Sequence, residues 1–351
     1  MVTLPKNIYS GAYRSGHCQG IAVDLEKGFV YYSFTTLLVK TDMDGRFIGS
    51  ATGLCGHLGC IVFNRDDGRV YGSLEYKNDA IGRGIARMLG EDGKEERPDR
   101  FYIAIFDADR IDRADIPAEE VMRCSFLREV TDDYLGEALM PDGSAKPHVH
   151  GCSGIDGTAV GPDFGEADDP DARRWLFVAY GVYSDTERQD NDYQVLLKYD
   201  PAELYAKSAP LSQKAMHRTG PDAPASKYFL HTGNTEYGVQ NLEYDPATKK
   251  YILCVYPGKK PAFPNPPMVA ADARIAPKRG ILAGVLPETE GEILSLDEHG
   301  TDGIPFAHGD TGFAALGDGL YYISCHGRNE NGQFTNVRLC TLEGGAFRFL
   351  E

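Results

Sequence analysis

Positive charge is what this chain is short of. Its 36 lysines and arginines face 52 aspartates and glutamates, a formal charge of −16 at pH 7. A protein that grips phosphates needs a basic face, so the balance argues against a nucleic-acid partner. No run approaches the roughly 18 apolar residues that read as a membrane-crossing helix. The opening MVTLPKNIYS also lacks the charged start and apolar stretch of a secretion signal. A cytoplasmic protein with no membrane partner is expected. None of the eight cysteines forms a CxxC pair, which argues against a zinc ribbon, and free thiols that pack as small apolar groups are expected. Helix-length periodic segments are few and short: IGRGIARMLGED at 81–92, AEEVMRCSFL at 118–127 and PAELYAKS at 201–208.

What the chain does have is turn and strand chemistry: 40 glycines, 20 prolines, 20 tyrosines and 16 phenylalanines. Short apolar strands recur in a fixed order, each followed by a turn such as DLEKG, NRDDG, DPATK or GDG. The first unit is GIAVDLEKGFVYYSFTTLLVKTDMDGRFIGS. The second begins CIVFNRDDGRVYGSLEY and resumes after an insertion with RFYIAIFDADRI. The third holds GTAVG, RWLFVAYGVYSD and YQVLLKYDPAEL. The fourth starts VQNLEYDPATKKYILCVYPG and is closed by PPMVAADA or GEILSLDEHG, and the fifth runs from TGFAALGDG to the last residue. Units of about 40 residues with four strands describe propeller blades, whose sheets bury their faces only against one another. The fold expected is all-β, a single five-bladed β-propeller across 1–351, with a sixth, degenerate blade at 263–300 as the alternative. QGIAVD and QNLEYD resemble the opening strands of NHL and SMP-30-like propellers. That resemblance implies the fold and no particular activity.

In a propeller the first strand of each blade lines the axis. The segment leading into it, and the loop between second and third strands, open on the same rim. Aligning the units places His17 and His57 at equivalent positions, then Gln19, Gly59, Asp156, Gln240 and Thr311, with His148, His150, Glu236, His308 and Asp310 just upstream. The second-to-third-strand loops add Glu75, Lys77 and Asp79, then Asp185 and Arg188, Lys259 and Lys260, and His326, Arg328 and Asn329.

Imidazoles with carboxylates suit Mn, Fe, Zn or Ni, so a divalent metal held by some of His17, His57, His150 and His308 is expected. Glu236 or Glu75 would move a proton, with Asp156 and Asp310 as further acid–base candidates. Arg328 and Lys77 would hold an anionic group, and Gln19, Gln240, His326 and Tyr237 would contact the rest of the substrate. The insertion from Asn78 to Arg100 would serve as a lid. This inventory points to lyase or isomerase chemistry on a small anionic or carbohydrate-like substrate. At the level of fold it is similar to propeller lyases acting on uronate oligosaccharides and to iron-dependent carotenoid-cleaving oxygenases. Two alternatives stand beside it. One is a glycoside hydrolase drawing paired carboxylates from Glu75, Asp156, Glu236 and Asp310. The other is a non-catalytic propeller that binds a ligand or protein on its rim.

Overall fold

Five antiparallel sheets stand around one axis, and the turn after each inner strand shows how the sequence builds them. In blade one the Asp24 carboxylate accepts the backbone N–H groups of Glu26 and Lys27, both at 3.0 Å. Asn64 and Asp245 do the same in blades two and four, accepting from Asp66 at 3.2 Å and Ala247 at 2.9 Å. These side chains mimic a backbone turn, and the chain then reverses through positive φ at Gly28, Gly68 and Lys249. The repeated D/N-x-x-x-G/K pattern is thus the local cause of the repeated hairpin.

The structure, a computed structural model, describes residues 4–91 and 97–351. Blade one comprises Cys18–Asp24, Phe29–Phe34, Leu37–Asp42 and Phe47–Thr52; blade two His57–Asn64, Arg69–Tyr76, Arg100–Asp107 and Met122–Phe126. Blade three is Cys152–Pro162, Arg174–Val182, Tyr193–Tyr199 and Ser226–His231, and blade four has three strands, Glu236–Asp245, Lys250–Tyr256 and Met268–Asp272. Blade five joins Phe313–Gly317, Leu320–Asn329 and Gly332–Glu343 to the N-terminal strand Asn7–Tyr13, which closes the ring.

Each pair of neighbouring blades shares one apolar cluster, so the core is a ring of five sheet-to-sheet contacts. Large tyrosines fill it, and several of their hydroxyls find partners: Tyr251 donates to the Pro162 carbonyl at 2.6 Å and Tyr321 to Asp245 at 2.7 Å. All eight cysteines are free, six of them buried. Burial pushes the Cys60 thiol up to about 11, which suits packing better than reactivity.

The structure settles several boundaries. Residues 263–300 do not form a sixth blade. Their hairpin, Lys278–Ile281 with Glu290–Ile293, adds to the outer edge of blade three, pairing Glu292 and Ile293 in parallel with Tyr228 and Phe229. PPMVAADA therefore closes blade four, while GEILSLDEHG gives it only the single bridge from Leu296 to Ala271. The expected helix at 118–127 shortens to α2 (Ala118–Val121), because Met122–Phe126 finds a free sheet edge beside Arg100–Asp107. The other helices are α1 (Ala80–Met88), α3 (Arg128–Leu135) and α4 (Pro201–Ala206). Residues 92–96 of the insertion lie outside the described residues. No described helix is long and apolar enough to cross a membrane.

Candidate active site

At the channel mouth, blade two contributes a cross-strand pair. His57 begins its inner strand directly opposite Glu75 on the second strand. Two residues on, with the same facing, Lys77 leaves the strand end. Its ammonium lies 2.5 Å from Glu75 Oε1 and 3.6 Å from Asp79, and it donates to the Ser153 carbonyl at 2.7 Å. The other Glu75 oxygen accepts the Ile155 N–H at 3.2 Å. From blade three, Asp156 accepts the Cys60 N–H at 3.1 Å. Both carboxylates are buried, and each lies over a glycine of a neighbouring inner strand. A Cβ on Gly154 would come within 2.1 Å of Glu75 Oε2, and one on Gly59 within 2.0 Å of Asp156 Oδ1. Those two glycines are what let side chains of this size fit so near the axis.

Above this floor is a cavity of about 340 Å³. His17, Gln19, His57, Glu75, Lys77, Asp156, Tyr237 and Gln240, all nominated from sequence, line it together. Helix α1 forms one wall through Ile81, Ile85 and Met88. Its N-terminus is held by Asp79, whose carboxylate accepts the Gly82 N–H at 2.9 Å and the Tyr183 hydroxyl at 3.2 Å. Asp310 and His326 stand at the rim, the latter with its ring 5.6 Å from that of His17; burial, and then the Asp310 charge, raise the pKa of the lining Tyr256.

Four nominated residues lie elsewhere. His150 is buried against Phe229, ring to ring at 5.2 Å. His308 is exposed and packs between Phe306 and Phe349. Glu236 pairs with Lys259 at 2.9 Å, and Arg328 is exposed at the end of the Leu320–Asn329 strand; neither lines the cavity.

Of the four histidines only His17 and His57 line the cavity, so the fold does not bring all four together around one ion. Among the described residues, the one group of three ligand-type side chains whose atoms lie within 4.8 Å is Asp297, Glu298 and His299. Lys250 already donates to both of those carboxylates, at 3.0 and 2.6 Å. In the cavity too, an ammonium, that of Lys77, sits against the carboxylates. A second, divalent cation there would meet like charge, so these residues do not fit a resident metal ion.

Electrostatics divides the groups by role. Burial, joined by Lys77, pushes His57 down to about 3, and burial with the neighbouring His326 lowers His17; both imidazoles are neutral near pH 7. Burial opposes the charge of Lys77, but Glu75 and Asp79 outweigh it and hold its pKa above the ordinary lysine value. Burial raises both carboxylates. For Glu75 the Lys77 charge and the Ile155 N–H work against the rise, whereas Asp156, with Glu75 adding to burial, is raised well above the usual range. Lys77 thus favours the charged form of Glu75, while burial and the neighbouring Glu75 favour the protonated form of Asp156.

Reasoning from sequence missed Tyr256, Ser153, Ile155 and the apolar face of α1. Tyr256 was legible in principle, because it ends the second strand of blade four as Tyr76 ends that of blade two.

No family model matches the sequence, and no curated protein matches it. Among solved structures the chain is similar to the soluble aldose sugar dehydrogenase of Escherichia coli in its apo form, at 10% identity over 94% of this chain and 98% of that one, TM-score 0.38. It is similar to a GH43 β-1,3-galactosidase with galactodeoxynojirimycin at 11% identity over 97% of each chain, TM-score 0.42. A protein of unknown function from Bacteroides caccae is similar at 9% identity, TM-score 0.30, over 84% of this chain and 99% of that one. At such identities the chemistry has to be read from the cavity's own residues.

Proposed function

We propose that the cavity is the active site of an acid–base enzyme acting on a small, uncharged, hydroxyl-rich molecule of the carbohydrate kind, with Asp156 as proton donor and Glu75 as base. The observation that carries this reading is the pair of buried carboxylates lining one cavity in unlike surroundings, Glu75 against the Lys77 ammonium and Asp156 against the Cys60 N–H, an arrangement that general acid–base catalysis can use. Charge bookkeeping moves the substrate from anionic to neutral. Lys77 is offset by Glu75 and Asp79, and Arg328 does not line the cavity, so among the described residues that line it no spare cation awaits an acid. Gln19, Gln240 and His17 offer donors and acceptors, and Tyr237 and Tyr256 offer rings for a sugar face.

Glycoside hydrolysis uses this pair directly. The Asp156 O–H passes its proton to the leaving oxygen as the glycosidic C–O bond breaks. Glu75 takes the proton from the attacking water as the new C–O bond forms, and the two groups exchange protons to reset. Helix α1 acts as a lid that keeps other water out through Ile81, Ile85 and Met88. A second reading, sugar isomerisation, is favoured by one observation: the Lys77 ammonium beside Glu75 would polarise a carbonyl while Glu75 shuttles a proton between adjacent carbons.

The test is hydrolysis of p-nitrophenyl glycosides of glucose, galactose, mannose, xylose and arabinose, with parallel incubation of the free sugars in D2O. Turnover of one glycoside that falls by roughly 10²–10⁴ in Asp156→Asn and Glu75→Gln supports hydrolysis. Deuterium uptake at a sugar carbon, lost in Glu75→Gln, supports isomerisation. Absence of both, or undiminished activity in both variants, overturns the acid–base reading.

A further inference from the structure

Helix α1 turns one face to the cavity. Ile81, Gly84, Ile85 and Met88 all line it, at spacings i, i+3, i+4 and i+7. Three of these positions carry apolar side chains, and one carries none. Packing explains the other glycine of the helix, because a Cβ on Gly82 would lie 1.6 Å from the Lys77 carbonyl oxygen. It does not explain Gly84. That residue sits inside the helix without a positive φ, where glycine is destabilising relative to alanine, and a Cβ there would meet nothing within 4 Å. Tyr237 is the second anomaly. It lines the same cavity from blade four, 41% exposed and at φ 63, a conformation costly for a bulky side chain. Its surroundings hold it there. Gln240 donates to its carbonyl at 3.1 Å, and Gly238, at φ 77, lies so close to blade three that a Cβ would stand 2.4 Å from the Tyr180 carbonyl oxygen. Blades two and four each pack on blade three and are not neighbours in the ring, so α1 and Tyr237 reach the cavity from different sides. Apolar surface is thus left open on two walls above a polar floor, Met88 being 43% exposed. The volume of about 340 Å³ falls in the range of about 300–1,000 Å³ that takes ligands larger than a single small polar group.

Resting on the hydrolytic reading above, we propose that the cavity has a second half, a slot between α1 and Tyr237 for a flat apolar group, and that the substrate is a glycoside whose leaving group is an aromatic ring instead of a second sugar. Gly84 is the specificity-determining position. Its missing side chain leaves the ring room to lie against Ile81, Ile85 and Met88, while Tyr237 covers the ring's other side. A second sugar in the slot would set hydroxyls against apolar side chains that offer them no partner, whereas an aromatic ring gains by burying its own apolar surface there.

The experiment is ligand-observed NMR titration of the full chain with the methyl, phenyl and 2-naphthyl glycosides of glucose, galactose, mannose, xylose and arabinose, and with cellobiose and lactose. It is repeated on Gly84→Leu and on Tyr237→Asn, each checked by thermal melting; Asn accepts the positive φ and removes the ring. For one sugar the naphthyl glycoside should bind wild type roughly tenfold or more tightly than the methyl glycoside, and that ratio should fall toward one in both variants. Gly84→Ala should melt higher than wild type. A lower melting temperature would mean that folding requires the glycine, and would overturn its assignment to specificity. If methyl and aryl glycosides bind alike, or the ratio survives in either folded variant, the slot is overturned while the carbohydrate reading stands. If a disaccharide binds more tightly than every aryl glycoside, the slot is a sugar site and the proposal fails in the same way. Should no glycoside bind wild type, the carbohydrate reading falls and takes this proposal with it. If Gly84→Leu does not fold, the ratio in Tyr237→Asn decides alone.

Discussion

At the scale of single residues, the site depends on what glycine omits. Gly59 has ordinary backbone angles, so Gly59→Ala adds only a methyl group, and that methyl would meet Asp156 Oδ1 at 2.0 Å and Ser73 Oγ at 2.5 Å. The carboxylate must swing away and lose the Cys60 N–H. We expect a destabilisation of about 1–3 kcal/mol in urea melts, together with loss of sugar binding. Unchanged binding would show that Asp156 is not held in place by this packing. His150 gives a pH-dependent counterpart outside the cavity. Burial first, then Lys227, pushes it down to about 4 from 6.5, so the folded protein binds fewer protons than the unfolded chain between those values. Its contribution to stability is intact above pH 6.5 and is lost as pH falls toward 4, up to about 3 kcal/mol. His150 has φ 55, which Asn tolerates. His150→Asn should therefore show a shallower loss of stability between pH 7 and 4 than wild type, and identical slopes would refute the assignment. At this scale the sequence was informative where residue type and strand position sufficed, as for His57, Glu75, Lys77 and Asp156. It misled for His150 and His308. Both precede inner strands, yet His150 lies in a short turn with positive φ and His308 packs on Phe349 from the final strand, neither of which spacing reveals.

At the scale of elements, α1 was visible because its periodicity and the Asp79 cap are both local. Helix α3 was not, since REVTDDYL carries little apolar pattern and is fixed by the burial of Val130, Thr131 and Tyr134 against blades two and three. Asp79 connects local folding to the site. One carboxylate caps α1, accepts the Tyr183 hydroxyl and attracts Lys77. Asp79→Asn keeps a capping oxygen but removes the charge, whereas Asp79→Ala removes both. Ala should cost about 1 kcal/mol and speed hydrogen exchange in α1, while Asn should leave exchange almost unchanged. Both should alter sugar binding, because Lys77 loses a partner in either variant. Equal exchange in wild type and Asp79→Ala would mean that α1 is held by its apolar face alone.

At the scale of the whole molecule, five blade interfaces have to close, and the last depends on the two ends of the chain. Blade five would lack its fourth strand without Asn7–Tyr13, which pairs with Gly332–Glu343. The Pro5 carbonyl accepts the Tyr322 hydroxyl at 3.0 Å, the Lys6 carbonyl accepts the Leu339 N–H at 2.9 Å, and Ser10 Oγ accepts the Thr335 N–H at 2.9 Å. This closure was not legible in the sequence. NIYSGAY reads as any short strand, and its partner lies more than 300 residues away, as the Ser10–Thr335 separation of 325 shows. Sequence periodicity specifies hairpins between neighbours but carries no signal for that pairing. Deleting residues 1–13 would expose the edge of Gly332–Glu343 and one face of the cluster containing Ile8, Tyr322 and Val337. The truncated protein should melt at lower temperature and associate in a concentration-dependent way. A synthetic peptide covering residues 4–14, added in trans, should restore the melting temperature, because it supplies both the backbone ladder and Ile8. A Pro at position 8 or 337 in the respective partner would abolish the rescue, since Ile8 and Val337 are register partners. If the truncated chain melts like the full one and ignores the peptide, the ring does not depend on its ends, and the four remaining interfaces suffice to hold the propeller.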